Sequence, residues 1–307
     1  MKSLFEKMSS YAVFVEEYMK SRISNLVSNK DFTGYENTVK PLYDSMEYSL
    51  LSPGKRLRPF LTMEFCRIFG KAPEKAVSYA ASLEMVHAFS LIHDDLPCMD
   101  DDDMRRGRPT NHKVFGEACA LLAGDALCFL PFETILDNDF PDSQNMRAVK
   151  ILASCAGAAG MIAGQQIDMW AENNTPDEDI LVLLQKKKTG ALFTAACLLG
   201  CTAAGKGPGD REYSFAAEYA SHAGLAFQIA DDILDVCGDS KLLGKNAGSD
   251  EKNGKTTFVT LLGLEGARIK AMQEAELAKA AVDSITNEES EKKHLKLLAD
   301  YFVQRNK

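Results

Sequence analysis

The chain has 307 residues, of which 46% are hydrophobic, enough to bury a core without disulfides or structural metal ions. Its 35 basic and 44 acidic residues give a net charge of -9, which excludes nucleic-acid binding by general basicity, so an anionic ligand needs a local cationic cluster or a metal ion. The eight cysteines form no Cys-x-x-Cys pair and match neither a zinc site nor a secreted disulfide framework, which indicates free thiols and a cytoplasmic protein.

Two segments bear on targeting and membranes. The first twenty residues carry Glu6, Glu16 and Glu17 and no apolar core segment, so we expect no secretory signal. The longest uncharged apolar stretch, residues 189–205, is short for a membrane span and rich in Ala and Gly, so it predicts a buried helix. We therefore expect no membrane span.

Helical periodicity dominates the chain. Apolar residues recur at spacings of three and four in residues 11–27, 74–95 and 265–285, whereas the alternation typical of strands is hard to find. The breaks between helices are dense in Gly, Pro, Asn or Asp, and none is long enough to be an interdomain linker. The pattern predicts one all-α domain, residues 1–307, of roughly ten helices.

The first group of basic residues lies in "GKRLRP", residues 54–59, which supplies Lys55 and Arg58. His87 follows on the next predicted helix, seven residues before Asp94 and so on roughly the same face. Guanidinium groups suit phosphate oxygens, and lysine adds point charge. Taken singly, each residue also has an ordinary interpretation, as a surface charge or a core histidine.

The segment "HDDLPCMDDDDMRRGRP", residues 93–109, contains six aspartates followed by Arg105 and Arg106. Such a run is either a solvated loop or a site where a polyvalent cation neutralises the carboxylates. An uninterrupted helix would turn Asp94 and Asp100 about 120° apart, but Pro97 predicts that the helix bends or ends and that Asp100 returns towards Asp94. Oxygen ligands of this kind suit Mg²⁺ shared with a phosphorylated substrate.

The second acidic motif is "FQIADDILD", residues 227–235. Gln228, Asp231 and Asp235 stand at i, i+3 and i+7 on one helical face, while Asp232 points about 100° away. The spacing therefore predicts a metal-facing edge. Lys188 with Thr189 precedes this motif, and Lys245 and Lys255 follow it in a Gly-rich segment.

These motifs and their order along the chain resemble those of the trans-isoprenyl diphosphate synthases (polyprenyl synthetases), especially the bacterial type of farnesyl diphosphate synthase. The resemblance includes three further motifs, "LAGDAL", "GQQIDM" and "KKTGALF". The resemblance implies a bundle of about ten core helices around a central cavity, usually as a homodimer. It implies Mg²⁺, about three ions with Mn²⁺ as a substitute, and isopentenyl and allylic diphosphates as substrates.

The resemblance also implies roles for individual residues. Asp94, Asp100 and Asp231 would bind metal, with Asp95 and Asp235 as supporting acids. Lys55, Arg58, His87 and Arg106 would bind isopentenyl diphosphate, and Arg105, Lys188, Thr189, Gln228, Lys245 and Lys255 would hold the allylic diphosphate. Of these, Lys188, Thr189, Gln228 and Arg105 would act in ionisation of the allylic substrate. The loop 238–254, with four glycines and three lysines, is expected to close over bound diphosphates.

The remaining expectation concerns the length of the prenyl product. Ser90 and Phe89 lie four and five residues before Asp94, with Ser90 nearly beneath it and Phe89 about 140° round the helix. An aromatic residue at the position of Phe89 resembles the chain stop of farnesyl diphosphate synthases, although aromatic residues at helical spacing are often simply core. Three alternatives stay open: a geranylgeranyl diphosphate synthase, a class I terpene cyclase and a non-catalytic partner subunit.

Overall fold

The structure is a computed structural model that describes residues 1–237, 255–285 and 289–304. The expected closure of loop 238–254 and the position of Lys245 lie outside the described residues. The larger helices are α1 (Lys2–Val27), α2 (Glu36–Leu50), α3 (Leu57–Ile68), α4 (Val77–Asp94), α5 (Asn111–Phe115), α6 (Glu117–Leu136), α7 (Asp142–Ala156), α8 (Met161–Ala171), α9 (Glu178–Gln185), α10 (Ala191–Ala203), α11 (Arg211–Cys237), α12 (Phe258–Asp283) and α13 (Glu289–Gln304).

Short elements connect these helices. One-turn 3₁₀ helices span Lys30–Phe32 and Pro73–Ala76, and a π-helical turn, Lys186–Gly190, joins α9 to α10. Strands β1 (Met104–Arg105) and β2 (Arg108–Pro109) form a small antiparallel hairpin that pairs Met104 with Pro109. These are the only strands in the part of the chain that the structure describes, so the all-α prediction is confirmed.

Helices α4 and α10 lie at the centre of the bundle because they are apolar on nearly all sides. α4 packs against α1, α3, α6 and α10, while α11 packs against α10 and α12. Most of the segment 189–205 forms α10, which is largely buried, with Phe193 and Cys197 fully inaccessible to solvent. The expectation of a buried helix there is confirmed.

One cluster of buried residues extends from Leu4 in α1 to Phe302 in α13, and a smaller cluster around Phe258 joins α9, α11 and α12. This shared core supports a single domain over residues 1–307, which stays a prediction. All eight cysteines are unpaired, and six of them are buried or partly buried within helices of the bundle, as expected for free thiols.

Two helical stretches, Glu117–Leu136 and Asp142–Ala171, have the length and apolar composition of a membrane span. Core helices of soluble proteins often share this length and composition, so these two stretches alone do not indicate a membrane span. In the first stretch, Ala120, Ala123 and Leu127 are fully buried within the bundle. The expectation of no membrane span stays a prediction.

Candidate active site

The first acidic motif begins at the C-terminal end of α4. The helix ends at Asp94, and the backbone then turns back, so that the Asp100 amide donates to the Asp94 carbonyl oxygen at 2.9 Å. Asp101 adopts the left-handed conformation, with φ of 50°, inside this turn. Both Asp94 and Asp100 line a cavity of about 730 Å³. The bend predicted from Pro97 is therefore confirmed.

The second acidic motif lies on α11 and lines the same cavity through Gln228, Asp231 and Asp235. Asp232 is only 4% exposed and accepts hydrogen bonds from the Phe258 amide at 2.9 Å and from Gln228 Nε2 at 3.3 Å. Asp232 thus ties α11 to the first turn of α12. Asp232 also borders the cavity, together with Asp231 and Asp235.

The charge balance around Asp94 favours a cation. Burial raises the pKa of the Asp94 carboxyl, the nearby Asp100 and Asp168 raise it further, and Lys188 and Arg105 oppose the rise. The ionised form of Asp94 therefore costs free energy in the unliganded fold. A divalent cation between the two motifs would remove that cost.

The donor set fits Mg²⁺. Among the described residues no group of three or more His, Cys, Asp or Glu side chains converges closely enough to hold a metal ion by itself. Mg²⁺ commonly binds through one or two carboxylates and completes its octahedron with water and substrate phosphates. Asp94 with Asp100 from the first motif, and Asp231 with Asp235 from the second, supply carboxylate oxygens of that kind around one cavity.

A π-helical turn presents Lys188 and Thr189 to the cavity. Lys188 Nζ donates to Asp168 Oδ2 at 2.5 Å, and the Thr189 hydroxyl donates to Gln228 Oε1 at 3.0 Å. Gly164 of α8 permits this arrangement, because a Cβ atom there would lie 2.1 Å from the Lys188 amide nitrogen. The turn therefore joins α8, which carries Asp168, to α11, which carries Gln228.

A buried arginine anchors the "GKRLRP" loop. Arg56 has the left-handed φ of 48°, and its guanidinium donates to Glu84 Oε1 at 2.8 Å and to Glu16 Oε1 at 3.0 Å. These ion pairs hold the residue that precedes α3. As a result Lys55 and Arg58, on either side of it, line the cavity.

Arg58 is the clearest candidate for a residue that binds an anionic ligand. Burial lowers the pKa of its guanidinium to about 10, so the group stays charged at neutral pH. Its Nε is buried and has no hydrogen-bond partner among the described residues. A buried donor atom without a partner on a charged group costs free energy, which an anionic ligand would recover.

His87 and Arg106 lie beside Arg58. Arg106 Nη1 donates to the Pro53 carbonyl at 3.1 Å, and its Nη2 lies 3.4 Å from His87 Nε2. Burial, followed by the charges of Arg58 and Arg106, lowers the pKa of His87 well below its ordinary value. His87 is therefore a neutral imidazole in the unliganded protein.

Arg105 and Asp95 form a separate pair. Arg105 Nε donates to Asp95 Oδ1 at 2.6 Å, while Asp102 lies 3.4 Å from the same guanidinium. Burial raises the pKa of Asp95 to about 6 against the opposing effect of Arg105. Arg105 lines the cavity, whereas Asp95 lies behind it. The structure thus separates Asp95 from the other four candidate carboxylates.

A second, apolar cavity of about 450 Å³ adjoins the first. The two share Arg58, His87, Leu91, Asp94, Lys188 and Thr189 in their walls. Phe89 and Ser90 line the apolar cavity together with Met99, Met161, Ile162, Met169 and Leu192. A ligand with a charged head at the aspartate motifs and a hydrocarbon tail would fit both.

Sequence reasoning missed Asp168, Glu84 and Glu16. Asp168 bridges towards both Lys188 and Lys255, the latter at 3.9 Å. The sequence did contain a signal for Asp168, because it is the only charged residue of α8. Glu84 and Glu16 carried no such signal, since their pairing with Arg56 joins α1, α3 and α4 only in three dimensions.

Comparisons with known proteins find relatives over most of the chain. The Farnesyl diphosphate synthase of Escherichia coli is 46% identical over 276 residues, 89% of this chain and 91% of that protein. Geranylgeranyl pyrophosphate synthase 11, chloroplastic, of Arabidopsis thaliana is 43% identical and covers 86% of this chain and 75% of its own length.

Solved structures are similar over almost the whole chain. The apo FPP/GFPP synthase of Zymomonas mobilis matches with a TM-score of 0.83 and 34% identity, covering 98% of this chain and 99% of that one. The geranylgeranyl pyrophosphate synthetase of Pyrococcus horikoshii matches with a TM-score of 0.87 and 26% identity, covering 99% of each. The family model described as Polyprenyl synthetase matches residues 39–298, and the chain belongs to the polyprenyl synthetase family.

Proposed function

We propose that the protein is a short-chain trans-prenyltransferase that condenses isopentenyl diphosphate with dimethylallyl or geranyl diphosphate to give farnesyl diphosphate. One observation carries the proposal: both carboxylate motifs and two groups of cations line a single polar cavity that adjoins an apolar one. Farnesyl diphosphate synthases at 46%, 45% and 44% identity support it.

The two groups of cations divide the substrates between them. Isopentenyl diphosphate is held by Lys55, Arg58, His87 and Arg106, around the orphaned Arg58 Nε. The allylic diphosphate is held by Arg105, Lys188, Thr189, Gln228, Lys255 and Lys245, the last of which lies outside the described residues. Two diphosphate sites distinguish a chain-elongating enzyme from a class I terpene cyclase, which binds only one.

The reaction then proceeds by ionisation and addition. The allylic C–O bond breaks and its electron pair leaves with the diphosphate, whose charge Lys188 and Arg105 offset. The Thr189 hydroxyl and the Gln228 amide oxygen, hydrogen-bonded to each other, lie beside the carbocation without acting as nucleophiles. The isopentenyl double bond forms the new C–C bond, and the diphosphate accepts the released proton.

Mg²⁺ would be held by Asp94, Asp100, Asp231 and Asp235. When bound, it supplies positive charge that neutralises the diphosphate leaving group. Mn²⁺ shares the preference for oxygen ligands and would substitute. Asp95 supports the site indirectly, because its carboxylate holds Arg105 in the cavity wall.

Product length is proposed to be set by Phe89, with Ser90 beside it in the wall of the apolar cavity. The Phe89 ring is a bulky group about one and a half helical turns before Asp94, in the wall of the apolar cavity, so it would stop a growing chain. A geranylgeranyl product remains the second candidate, because geranylgeranyl synthases at 42–46% identity are among the relatives.

We also propose a cytoplasmic homodimer. Leu122, Phe129 and Leu136 are spaced by seven residues on one face of α6, and all are exposed, Phe129 to 70%. A second copy of this chain would cover that face. Phe129→Asp should then convert the dimer to a monomer in sedimentation analysis, and a wild-type monomer would contradict the proposal.

Turnover of radiolabelled isopentenyl diphosphate with each allylic primer tests the function, followed by chromatography of the dephosphorylated products. Farnesol as the main product is expected. Cyclised products without incorporation of isopentenyl diphosphate would indicate a cyclase. An absence of turnover in the protein alone, with activity only after addition of a second subunit, would indicate a non-catalytic partner.

A further inference from the structure

His93, one residue before the first aspartate motif, packs against Phe89 one helical turn earlier on α4. The two ring centroids lie 5.8 Å apart, with the planes at 74°, an edge-to-face contact. Both side chains line the apolar cavity. The imidazole is thus part of the wall that surrounds the Phe89 ring.

The opposite side of the imidazole lies against α6, in a notch at Gly124. His93 Nε2 donates to the Leu121 carbonyl at 3.1 Å, which leaves Nδ1 without the proton in the neutral ring. A Cβ atom on Gly124 would lie 2.1 Å from His93 Nε2 and 2.3 Å from Cδ2. The imidazole therefore occupies the space that any side chain at position 124 would fill.

This close approach explains a glycine in the middle of a 20-residue helix. Glycine is the least favoured residue in a helix interior after proline, so its presence at position 124 needs a packing reason. The His93 ring provides that reason. Gly124 is itself buried, whereas the adjacent Asp125 is exposed, with Oδ1 3.8 Å from His93 Nε2.

We propose that Gly124 and His93 are positioning residues for product length: the Gly124 notch holds the imidazole, and the imidazole holds the Phe89 ring across the apolar cavity. The inference rests on the proposed prenyltransferase function and adds α6 to the determinants of the product. Neither residue touches the reacting atoms. Both act through the position of Phe89.

Two single substitutions should shift the products in opposite directions. In Gly124→Ala the methyl group displaces the imidazole away from α6, towards Phe89 and the cavity, so the share of geranyl diphosphate should rise about fivefold or more. In His93→Ala the Phe89 ring loses its lateral support and can rotate aside. The share of geranylgeranyl diphosphate should then rise by a similar factor.

The double variant His93→Ala/Gly124→Ala isolates the mechanism. Without the imidazole, the added methyl group meets empty space, so the double variant should give the same products as His93→Ala alone. It also removes the steric overlap that could prevent Gly124→Ala from folding. Asp125→Asn, which leaves the notch intact, is the matched control and should keep the wild-type distribution.

The experiment measures the ratio of dephosphorylated products at a fixed ratio of the two substrates. This product ratio compares variants independently of their total activity. A wild-type distribution in His93→Ala would overturn the inference, as would a shorter product in the double variant. A wild-type protein without any prenyl diphosphate product would instead overturn the proposed function. The two failures are therefore distinguishable.

Discussion

Lys188 Nζ lies 2.5 Å from Asp168 Oδ2, and this ion pair joins the π-helical turn to α8 at the wall of the polar cavity. Lys255 Nζ lies 3.9 Å from the same oxygen. One carboxylate thus orients two lysines that we assign to the allylic diphosphate. Asp168 is a positioning residue for both.

Asp168→Asn should therefore lower kcat by about 10- to 100-fold, because both lysines lose the charge that orients them towards the leaving group. The amide keeps the size of the side chain, so the melting temperature should change little. Steady-state kinetics with the two diphosphates measures the effect. Asp139→Asn, at an exposed position outside the cavity, is the control, and equal kinetics in the two variants would contradict this role.

Asp94→Asn and Asp231→Asn should each lower turnover by about a thousandfold or more, because each removes a carboxylate that we assign to Mg²⁺. In wild type, Mg²⁺ with inorganic pyrophosphate should raise Tm, and in both variants this rise should shrink. Thermal unfolding with and without the two ligands measures it.

Without metal, Asp94→Asn should not lower the stability of the protein. Since the folded pKa of Asp94 is raised, its ionised form destabilises the fold at neutral pH, and this cost is relieved as the pH falls through the raised pKa. The variant should thus have a metal-free Tm equal to or above that of wild type at pH 7. A lower Tm would show that Asp94 stabilises the unliganded fold.

Arg105→Ala should lower both activity and stability, unlike Asp94→Asn. It leaves the Asp95 carboxylate buried, 3% exposed, without its ion-pair partner, a loss of about 3–5 kcal/mol in comparable pairs. The double variant Arg105→Ala/Asp95→Ala should recover much of the stability but none of the activity. Denaturant unfolding gives the free energies, and equal stabilities of the single and double variants would exclude the ion pair as the cause.

Phe89→Ala should lengthen the product towards geranylgeranyl diphosphate, because it removes the ring from the wall of the apolar cavity. Phe89→Leu should have a smaller effect in the same direction. The matched control is Phe65→Leu, a buried phenylalanine outside the cavity, which should reduce stability and leave the product unchanged. An unchanged product in Phe89→Ala would mean that other residues set the length.

His87 should take up a proton when a diphosphate binds. Its folded pKa lies below the ordinary value, so the unliganded protein should lose stability as the pH falls through about 6.5, where the unfolded chain binds the proton more readily. An anion beside Arg58 and Arg106 should raise the His87 pKa. NMR titration with and without pyrophosphate measures the change, His87→Gln assigns the signal, and equal pKa values in both states would place the anion elsewhere.

Much of this architecture follows from local patterns in the chain. The 3.6-residue period predicted amphipathic helices, and the uncharged apolar stretch 189–205 predicted the buried α10, because both signals depend only on residues close together along the chain. Pro97 predicted the turn that returns Asp100 to Asp94, and the i, i+3, i+7 spacing on α11 placed Gln228, Asp231 and Asp235 on one face. The relationships within these two acidic motifs span fewer than ten residues.

Only the tertiary structure decided which residues meet across helices. The pairing of Asp95 with Arg105, which removes Asp95 from the cavity wall, depends on how the β1–β2 hairpin folds back on the end of α4. Asp168 reaches Lys188 because Gly164 lets α8 approach the π-helical turn, and His93 reaches α6 because Gly124 leaves the space. Such contacts join residues ten or more positions apart, and close packing rather than local periodicity determines them.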